Sequence, residues 1–272
     1  LVTSDVQLTA VCYDDWPSGL NDEIVVSGFT VDATRYLKFT VAEGHRHNGT
    51  LRSGFYVWHT NTGKRVWTVS TRYCRFEWMD IHAPLTANTG CYYVDTNGDD
   101  ISLTNCIGEA GAAASGAVYV FFMTAVTNFA LYNCMAASGA YGVWLGNNST
   151  GKIYNCVLTG AANGIYATAT GTAAIDIRNT IAYSNTVNFT DLGTRWASTC
   201  TNNASTEASG APGANPIHSL PSTHFVDAAN KDFHILEGSS LRDAGVNLYS
   251  NLTVDIDGDP RPSAGAWSVG YD

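Results

Sequence analysis

Apolar and polar positions alternate in four short stretches between residues 101 and 181. Residues 101–107, 129–135, 151–157 and 175–181 each follow the same plan, in which an alternating run ends in Asn, a small residue and an apolar residue. The four asparagines lie 28, 22 and 24 residues apart. Alternation with a period of two predicts a strand that is buried on one face. Its recurrence at this interval indicates a repeat architecture.

A second strand is predicted in each repeat, after a turn of small residues. These strands are expected at 91–94, 117–122, 141–145 and 164–167. No segment has convincing helical periodicity, so no helix is available to connect parallel strands. The sequence therefore predicts an all-β fold, a single-stranded right-handed parallel β-helix whose stacked coils share one core. A β-sandwich is the alternative, although it does not require the same residues at the same place.

The step from Asn to a small residue is expected to form a structural ladder. Asn tolerates left-handed backbone geometry at a bend, and its amide can bond the equivalent Asn one coil away. Cys behaves there as a small buried hydrophobe, so reduced thiols are expected, with a disulfide between neighbouring coils as the alternative. The other cysteines lack the spacing of a zinc site. The predicted ladder consists of Asn105, Asn133, Asn155, Asn179, Cys106, Cys134 and Cys156.

The repeat extends upstream and fades downstream. Residues 76–81 alternate like residues 101–106, which predicts an earlier coil with Asp80 in the position of the asparagines. The open ends of a solenoid expose apolar side chains and strand edges, so terminal caps are expected. The predicted parts are an N-terminal cap or first coil at 1–50, coils at 51–190, an irregular loop at 191–220 and a C-terminal cap at 221–272.

Low charge narrows the range of partners. Only 14% of residues are charged, against about 25% in ordinary globular domains, and the net charge is −10. Such a chain has too few cations to bind nucleic acid or anionic membranes. No apolar run reaches 18 residues, so no membrane span is expected. The chain begins at Leu1 without an initiator Met, which fits a processed protein or a fragment.

The C-terminal residues carry a resemblance to a known family. Residues 232–239 read Asp-Phe-His-Ile-Leu-Glu-Gly-Ser, and residues 255–262 read Asp-Ile-Asp-Gly-Asp-Pro-Arg-Pro. These motifs resemble the C-terminal cap of right-handed parallel β-helix repeat proteins, which are common on bacterial surfaces and among phage-derived sequences. The coils from 73 to 190 resemble the repeats of the same family. The resemblance implies the fold but does not decide the function, because members include lyases, hydrolases, adhesins and tailspikes.

Acidic residues near one turn are the candidates for catalysis. Asn97-Gly-Asp99-Asp100 resembles a motif of polygalacturonases, but the other motifs of that family are missing. The Arg-x-Pro-x-x-Arg pattern of pectate lyases is missing as well. An inverting hydrolase requires two carboxyl groups about 6.5–9.5 Å apart. The candidates for such a pair are Asp95, Asp99, Asp100 and Glu109.

Aromatic residues are the candidates for ligand contact. Tyr56, Trp58, Trp67 and Trp144 are expected to form either a sugar platform or a subunit interface, with core packing as the alternative. Asp255, Asp257 and Asp259 resemble half of a calcium loop, but Gly comes fourth instead of sixth and no Glu follows. No cofactor is therefore expected, and calcium is the alternative.

The expected function is that of a non-enzymatic structural or adhesive β-helix on a virion or cell surface. A capsid decoration or tailspike-like role would involve a homotrimer, contacts with other virion or surface proteins, and glycans. The alternative is an extracellular polysaccharide lyase or glycoside hydrolase with a groove along the coils of residues 56–109.

Overall fold

Each coil of the chain contributes one short strand to each of three stacked sheets, which we name A, B and C. The computed structural model describes residues 1–2, 5–60, 63–84, 87–112, 115–171 and 174–272. Within these three sheets every strand pairs in parallel with the strand one coil away. The prediction of a parallel β-helix is therefore confirmed, and the β-sandwich is wrong. No helix in these ranges is long and apolar enough to cross a membrane.

Sheet A contains the alternating strands that precede the Asn bend. Their inward side chains form one file in which Phe76, Leu103, Leu131, Ile153 and Ile177 stand in register. The strands are β1 (Leu8–Cys12), β4 (Leu37–Val41), β7 (Cys74–Glu77), β10 (Ser102–Thr104), β13 (Phe129–Tyr132), β16 (Gly151–Tyr154) and β19 (Ile175–Arg178).

Sheet B follows the bend and is buried on both faces in its central coils. The strands of its central coils show no alternation of burial, which is why the sequence pattern did not separate them from the bend. The strands are β2 (Leu20–Asn21), β5 (Tyr56–Trp58), β8 (Asp80–Ala83), β11 (Ile107–Ala110), β14 (Met135–Ala137), β17 (Val157–Thr159), β20 (Ile181–Tyr183) and β22 (Ala204–Ser205).

Sheet C contains the predicted second strand of each repeat. The strands are β3 (Ile24–Ser27), β6 (Arg65–Ser70), β9 (Ala87–Val94), β12 (Ser115–Met123), β15 (Tyr141–Leu145), β18 (Asn163–Ala167) and β21 (Val187–Asp191). An antiparallel hairpin of β23 (Phe225–Asp227) and β24 (Asp232–Ile235) follows near the C terminus.

The interior between the sheets is filled by apolar side chains, with stacked aromatic rings at its N-terminal half. Phe39 stacks on Phe76 with ring centres 5.1 Å apart, and Tyr92 stacks on Phe121 at 5.3 Å. Trp67 packs edge-on against Phe76 and is only 2% exposed. The prediction that Trp67 belongs to a surface platform is therefore wrong, because its position in β6 points into the core.

The coil before Asn105 is shifted by two residues from the predicted register. Glu77 pairs with Thr104, which places Trp78 in the position of the asparagines, and Asp80 pairs with Ile107 instead. Trp78 has the left-handed backbone of this position, with a φ of 62° against 53° for Asn105. The predicted role of Asp80 is wrong because a slip of two residues preserves the alternation of faces and leaves no trace in the pattern.

Residues 191–220, for which the sequence predicts an irregular loop, continue the coil pattern in part. Thr201 bridges Arg178, which aligns Asn202 with Asn179, and β22 pairs with β20. Asn202 also has a left-handed backbone, with a φ of 53°. The repeat is hard to see here because the residue after Asn202 is a second Asn and the strands around it are very short.

Residues 221–272, which we call the C-terminal segment, pack along the side of the coils. The sequence predicts instead that they cap the end of the coils. The segment covers the outer file of sheet B and forms a second apolar core with it. This outer core combines Ile107, Met135, Val157 and Ile181 of sheet B with residues of the segment that include Phe225, Phe233, Ile235, Ile256 and Tyr271. The segment therefore protects a flank that would otherwise expose a continuous apolar file.

A histidine between two carboxylates ties the segment together. His234 Nδ1 lies 2.5 Å from Asp232 Oδ1, and its Nε2 lies 3.1 Å from Asp257 Oδ2. The hydrogen bond to Asp257, followed by the one to Asp232, raises the pKa of His234 from its usual 6.5 to about 9 against the opposing effect of burial.

This ion network predicts that stability falls in mild alkali. A folded-state pKa above the unfolded value means that the contribution of charged His234 is complete below pH 6.5 and is lost as the pH rises through about 9. We expect a loss of about 1–2 kcal/mol between pH 6 and 9.5, because solvent screens the partly exposed carboxylates. Urea unfolding at both pH values measures it, and His234→Gln should reduce the difference, to which His82 also contributes because its pKa is raised as well. An equal pH effect in both proteins would contradict this role.

Candidate functional site

The predicted catalytic acids do not converge. Asp95, Asp99 and Asp100 lie at the corner between sheets C and A, where each binds neighbouring turns. Asp95 accepts a hydrogen bond from Ser70 Oγ at 2.5 Å, and Asp99 forms an ion pair with Arg72 at 2.6 Å. Asp100 has a left-handed backbone with a φ of 55° and contacts Asn128. These contacts connect successive coils at the turn. Glu109 lies apart from them, on sheet B.

Glu109 belongs to a group of ionisable side chains on the outer face of sheet B. We call this group the charged cluster; it consists of Arg52, Asp80, His82, Glu109 and Lys231. Asp80 and His82 stand two residues apart in β8 and therefore share a face. His82 pairs directly with Glu109 of β11. The cluster thus joins an N-terminal loop, two strands of sheet B and the C-terminal segment.

The contacts in the charged cluster centre on Glu109 and Asp80. Glu109 Oε2 lies 2.6 Å from Arg52 Nη2, while its Oε1 contacts Lys231 Nζ. Asp80 is fully buried, and its Oδ1 lies 2.7 Å from His82 Nε2. Its Oδ2 accepts the backbone N–H of Arg52 at 2.5 Å.

These contacts shift the pKa values of two members. The hydrogen bond with His82, together with Lys231 and Arg52, lowers the pKa of Glu109 to about 2 despite its partial burial. Burial lowers the pKa of His82, but the charge of Asp80 and the hydrogen bonds to Asp80 and Glu109 outweigh that effect and raise it. Glu109 is therefore a carboxylate at neutral pH.

A groove runs beside the charged cluster, between residues 222–231 and sheet B. It consists of two adjoining cavities of about 290 and 360 Å³ that share Ala229 and Lys231. The first is also lined by Arg52 and Glu109. The second is lined by hydroxyl groups and one ring, supplied by Thr159, Tyr183, Ser184 and Ser222.

A second surface feature lies on the outer face of sheet C. We call it the aromatic strip; it consists of Tyr93, Tyr119, Phe122, Tyr141, Trp144 and Tyr166. The pairing of β9, β12, β15 and β18 places four of these rings in one file, with one ring in each coil. Successive coils are about 4.8 Å apart, so the rings follow one another at that spacing.

The rings of the aromatic strip contact one another and stay partly exposed. Phe122 and Trp144 meet edge to face with centres 4.5 Å apart, and Trp144 lies 5.0 Å from Tyr141. Tyr119 is buried, and the other members are half exposed. At the N-terminal end, the Arg65 guanidinium lies 4.1 Å from the ring centre of Tyr93. The strip is therefore a rigid apolar surface on an otherwise polar face.

The other two aromatic candidates lie outside the aromatic strip. Tyr56 and Trp58 are in β5 of sheet B and are half exposed. The Tyr56 ring meets His82 edge-on at 5.7 Å, and Trp58 donates its indole N–H to Ser18 O at 3.0 Å. Of the predicted platform residues, only Trp144 lies in the strip.

The predicted Asn ladder exists as two separate pairs. Asn133 Nδ2 donates to Asn105 Oδ1 at 2.9 Å, and Asn179 Nδ2 donates to Asn155 Oδ1 at 3.3 Å. Between the pairs, the Arg261 guanidinium donates to Asn133 Oδ1 at 3.3 Å. Each ladder Asn also donates to a backbone carbonyl of the C-terminal segment; the acceptors are Asp255, Val254, Gly270 and Val246. The ladder is therefore the seam that holds the segment.

The thiols beside the ladder make hydrogen bonds as well as filling space. All seven cysteines are free. Cys134 Sγ donates to Leu103 O at 3.4 Å, and the backbone N–H of Cys134 donates to Cys156 Sγ at 3.4 Å. In the next coil, Thr180 Oγ1 accepts the backbone N–H of Cys156 in the same way. Burial raises the pKa values of Cys106 and Cys134 well above the usual value, so these thiols stay protonated.

The predicted calcium residues form a hydrogen-bonded turn. Asp255 Oδ1 accepts the backbone N–H groups of Asp257 at 3.0 Å and Asp259 at 2.9 Å, and Asp257 faces His234. Within the described ranges no three His, Cys, Asp or Glu side chains are arranged to hold a metal ion.

Sequence reasoning missed most members of both surface features. The Asp-x-His of β8 was visible, since residues two apart in a strand share a face, but Arg52 and Lys231 come from distant loops. The aromatic file was also visible, because Tyr93, Phe122, Trp144 and Tyr166 recur at the repeat interval. The signal that marks the aromatic strip is an aromatic residue that recurs at one position in the second strand of each repeat.

The fold places the protein in the class of parallel β-helices. No protein-family profile matches the chain, and no curated protein matches it. Among solved structures, the chain is similar to the crystal structure of pectate lyase Pel9A, with 13% identity and a TM-score of 0.44, over 98% of this chain and 86% of that chain. At this identity the similarity concerns the fold alone.

Proposed function

We propose that the protein is a non-enzymatic adhesive β-helix that works outside the cell or on a virion surface and binds glycans on the aromatic strip. The observation that carries this proposal is the file of half-exposed rings with one ring in each coil. Contiguous apolar surface on a rigid body is typical of an interaction site. Aromatic rings supply a large contact area for the apolar faces of sugars at a low cost in conformational entropy.

The charge state of Glu109 does not suit it to the role of general acid in a glycoside hydrolase. A glycoside hydrolase needs one carboxyl group that is protonated at working pH. Glu109, with a pKa of about 2, is ionised and ion-paired. Asp99 is held in a turn by Arg72 and Thr127. A lyase or hydrolase remains the competing function, with Glu109 as the candidate that faces a groove.

Replacing Trp144 by alanine is expected to weaken glycan binding about tenfold, which corresponds to about 1.4 kcal/mol. The loss follows from removing the largest half-exposed ring in the middle of the strip. Titration calorimetry with a panel of neutral oligosaccharides measures it. The matched control is Trp16→Ala, which removes a 66% exposed tryptophan far from the strip. If no glycan binds, or if both variants lose affinity equally, the platform is wrong.

Two further measurements on the same proteins separate the competing functions. Light scattering tests the expected homotrimer. If the native protein is an oligomer that binds no glycan, and Trp144→Ala makes it a monomer, the strip is a subunit interface. Reducing ends and unsaturated-product absorbance, followed over uronate-containing and neutral glycans, test for enzymatic cleavage. Cleavage that disappears in Glu109→Gln would establish the enzyme instead.

A further inference from the structure

We infer that the groove between residues 222–231 and sheet B is a second binding site, which takes a sugar that carries a carboxylate group. The site uses the charged cluster and lies on a different face from the aromatic strip. It therefore does not rest on the proposed glycan platform, and either site can fail without the other.

The lining of the groove has the chemistry of a sugar site. The wall contains hydroxyl groups of Thr159, Ser184 and Ser222 and one aromatic ring, Tyr183. Asn230 adds an amide beside the cations. Pockets for small polar ligands combine apolar walls with a few placed polar groups, as this groove does. Its two adjoining cavities have room for more than one sugar ring.

The cations keep donors free for a ligand. Arg52 makes its side-chain contacts with Glu109 and His82 through Nη2, at 2.6 and 3.0 Å. Its Nη1 and Nε donors have no partner in the part of the chain that the structure describes, and its side chain is 50% exposed. Lys231 supplies a second cation against the single carboxylate of Glu109. Among the residues that line the groove, Arg52 and Lys231 thus outnumber the one carboxylate, and the second carboxylate of the charged cluster, Asp80, is fully buried.

Buried groups hold Arg52 in place before any ligand arrives. Asp80, fully buried, binds the backbone N–H of Arg52, whose φ of 59° is left-handed. Such strained positions persist where the surroundings fix them and are concentrated at functional sites. His82, 2% exposed, lies behind the guanidinium with Nδ1 3.0 Å from Nη2. Asp80 and His82 are therefore positioning residues for Arg52.

The Arg52 guanidinium and the Lys231 ammonium favour an anionic group on the sugar. Because Glu109 and His82 occupy Nη2 of Arg52, a ligand carboxylate would accept charge-assisted hydrogen bonds from the free Nη1 and Nε donors. Lys231 can neutralise the same ligand as a point charge. A sugar with a carboxylate on its ring could bind Arg52 and Lys231 while its hydroxyls meet the polar wall.

The experiment is a calorimetric titration with a galacturonate trisaccharide, the neutral galactose trisaccharide and a sulfated trisaccharide. We expect the intact protein to bind the uronate, more tightly at low salt than at high salt because the contact is between charges. Arg52→Gln and Lys231→Gln should each weaken this binding at least tenfold. The matched control is Arg72→Gln, which removes a 54% exposed arginine that also pairs with one carboxylate but lies outside the groove.

Arg52→Lys keeps the charge and loses the free Nη1 and Nε donors, so its affinity should lie between those of the native protein and Arg52→Gln. Thermal unfolding of every variant confirms that it is folded before titration. The proposal is overturned if the native protein does not bind the uronate, if it binds the neutral trisaccharide as tightly, or if Arg52→Gln and Lys231→Gln bind as tightly as Arg72→Gln. Tighter binding of the sulfated trisaccharide would overturn the assignment of a carboxylate.

Discussion

Asn133→Ala is expected to lower the free energy of unfolding by about 3–4 kcal/mol, a large effect for one side chain. Asn133 is fully buried and has a left-handed backbone with a φ of 49°. Alanine in that conformation costs about 1–2 kcal/mol. The substitution also removes the donor to Val254 O and Asn105 Oδ1 and one of the acceptors of the Arg261 guanidinium, at about 1–3 kcal/mol for a buried polar group. Urea unfolding measures the sum.

Two further variants divide this loss into its parts. Asn128→Ala changes an exposed Asn with nearly the same backbone, a φ of 58°, so it should show the backbone cost together with the loss of one exposed hydrogen bond to Asp100. Asn133→Gly should recover the backbone cost and keep the loss of buried hydrogen bonds. If Asn133→Ala is no more damaging than Asn128→Ala, the seam between the ladder and the C-terminal segment contributes nothing to stability.

Phe76→Ala and Phe233→Ala are each expected to cost about 3–5 kcal/mol, but in different parts of the molecule. Phe76 is fully buried in the interior core between Phe39, Trp67 and Tyr92, so its loss should destabilise the coils together. Phe233, 1% exposed, packs against Tyr183 and Phe225 in the outer core. Its loss should release the C-terminal segment first.

Hydrogen exchange distinguishes the two outcomes. Phe233→Ala should raise exchange in residues 221–272 while β10, β13 and β16 remain protected, because the coils keep their own core. Phe76→Ala should raise exchange in all three of those strands. A Phe233→Ala protein that loses protection uniformly would show that the segment and the coils unfold as one unit.

The sequence was sufficient to predict the coil because a short motif that ends in Asn recurs in successive coils. The left-handed bend recurs at Asn105, Asn133, Asn155 and Asn179, and the strand before each bend belongs to an alternating stretch. The strands of sheet B could not be predicted. The outer face of this sheet is buried by the C-terminal segment, which lies more than a hundred residues after Ile107 in the chain. The same contacts place residues 221–272 along a flank of the coils, whereas the sequence predicted an end cap.

The surface sites were less predictable because they are assembled from several coils and loops. Glu109 was identified as an acid, but its partners Arg52 and Lys231 are 57 and 122 residues away in the chain. Trp67 and Trp144 are both strand tryptophans, and only the register shows that one points inward and the other outward. Composition cannot make that distinction, because one residue of slip exchanges the two faces.

The position of the outer core has a consequence for synthesis of the chain. Ile107, Met135, Val157 and Ile181 emerge from the ribosome well before Ile256 and Tyr271, which cover them. Until residues 221–272 are made, the coils present an apolar stripe along one side, the kind of surface that drives nascent chains to associate. The order of translation therefore leaves this flank uncovered until residues 221–272 have followed the coils.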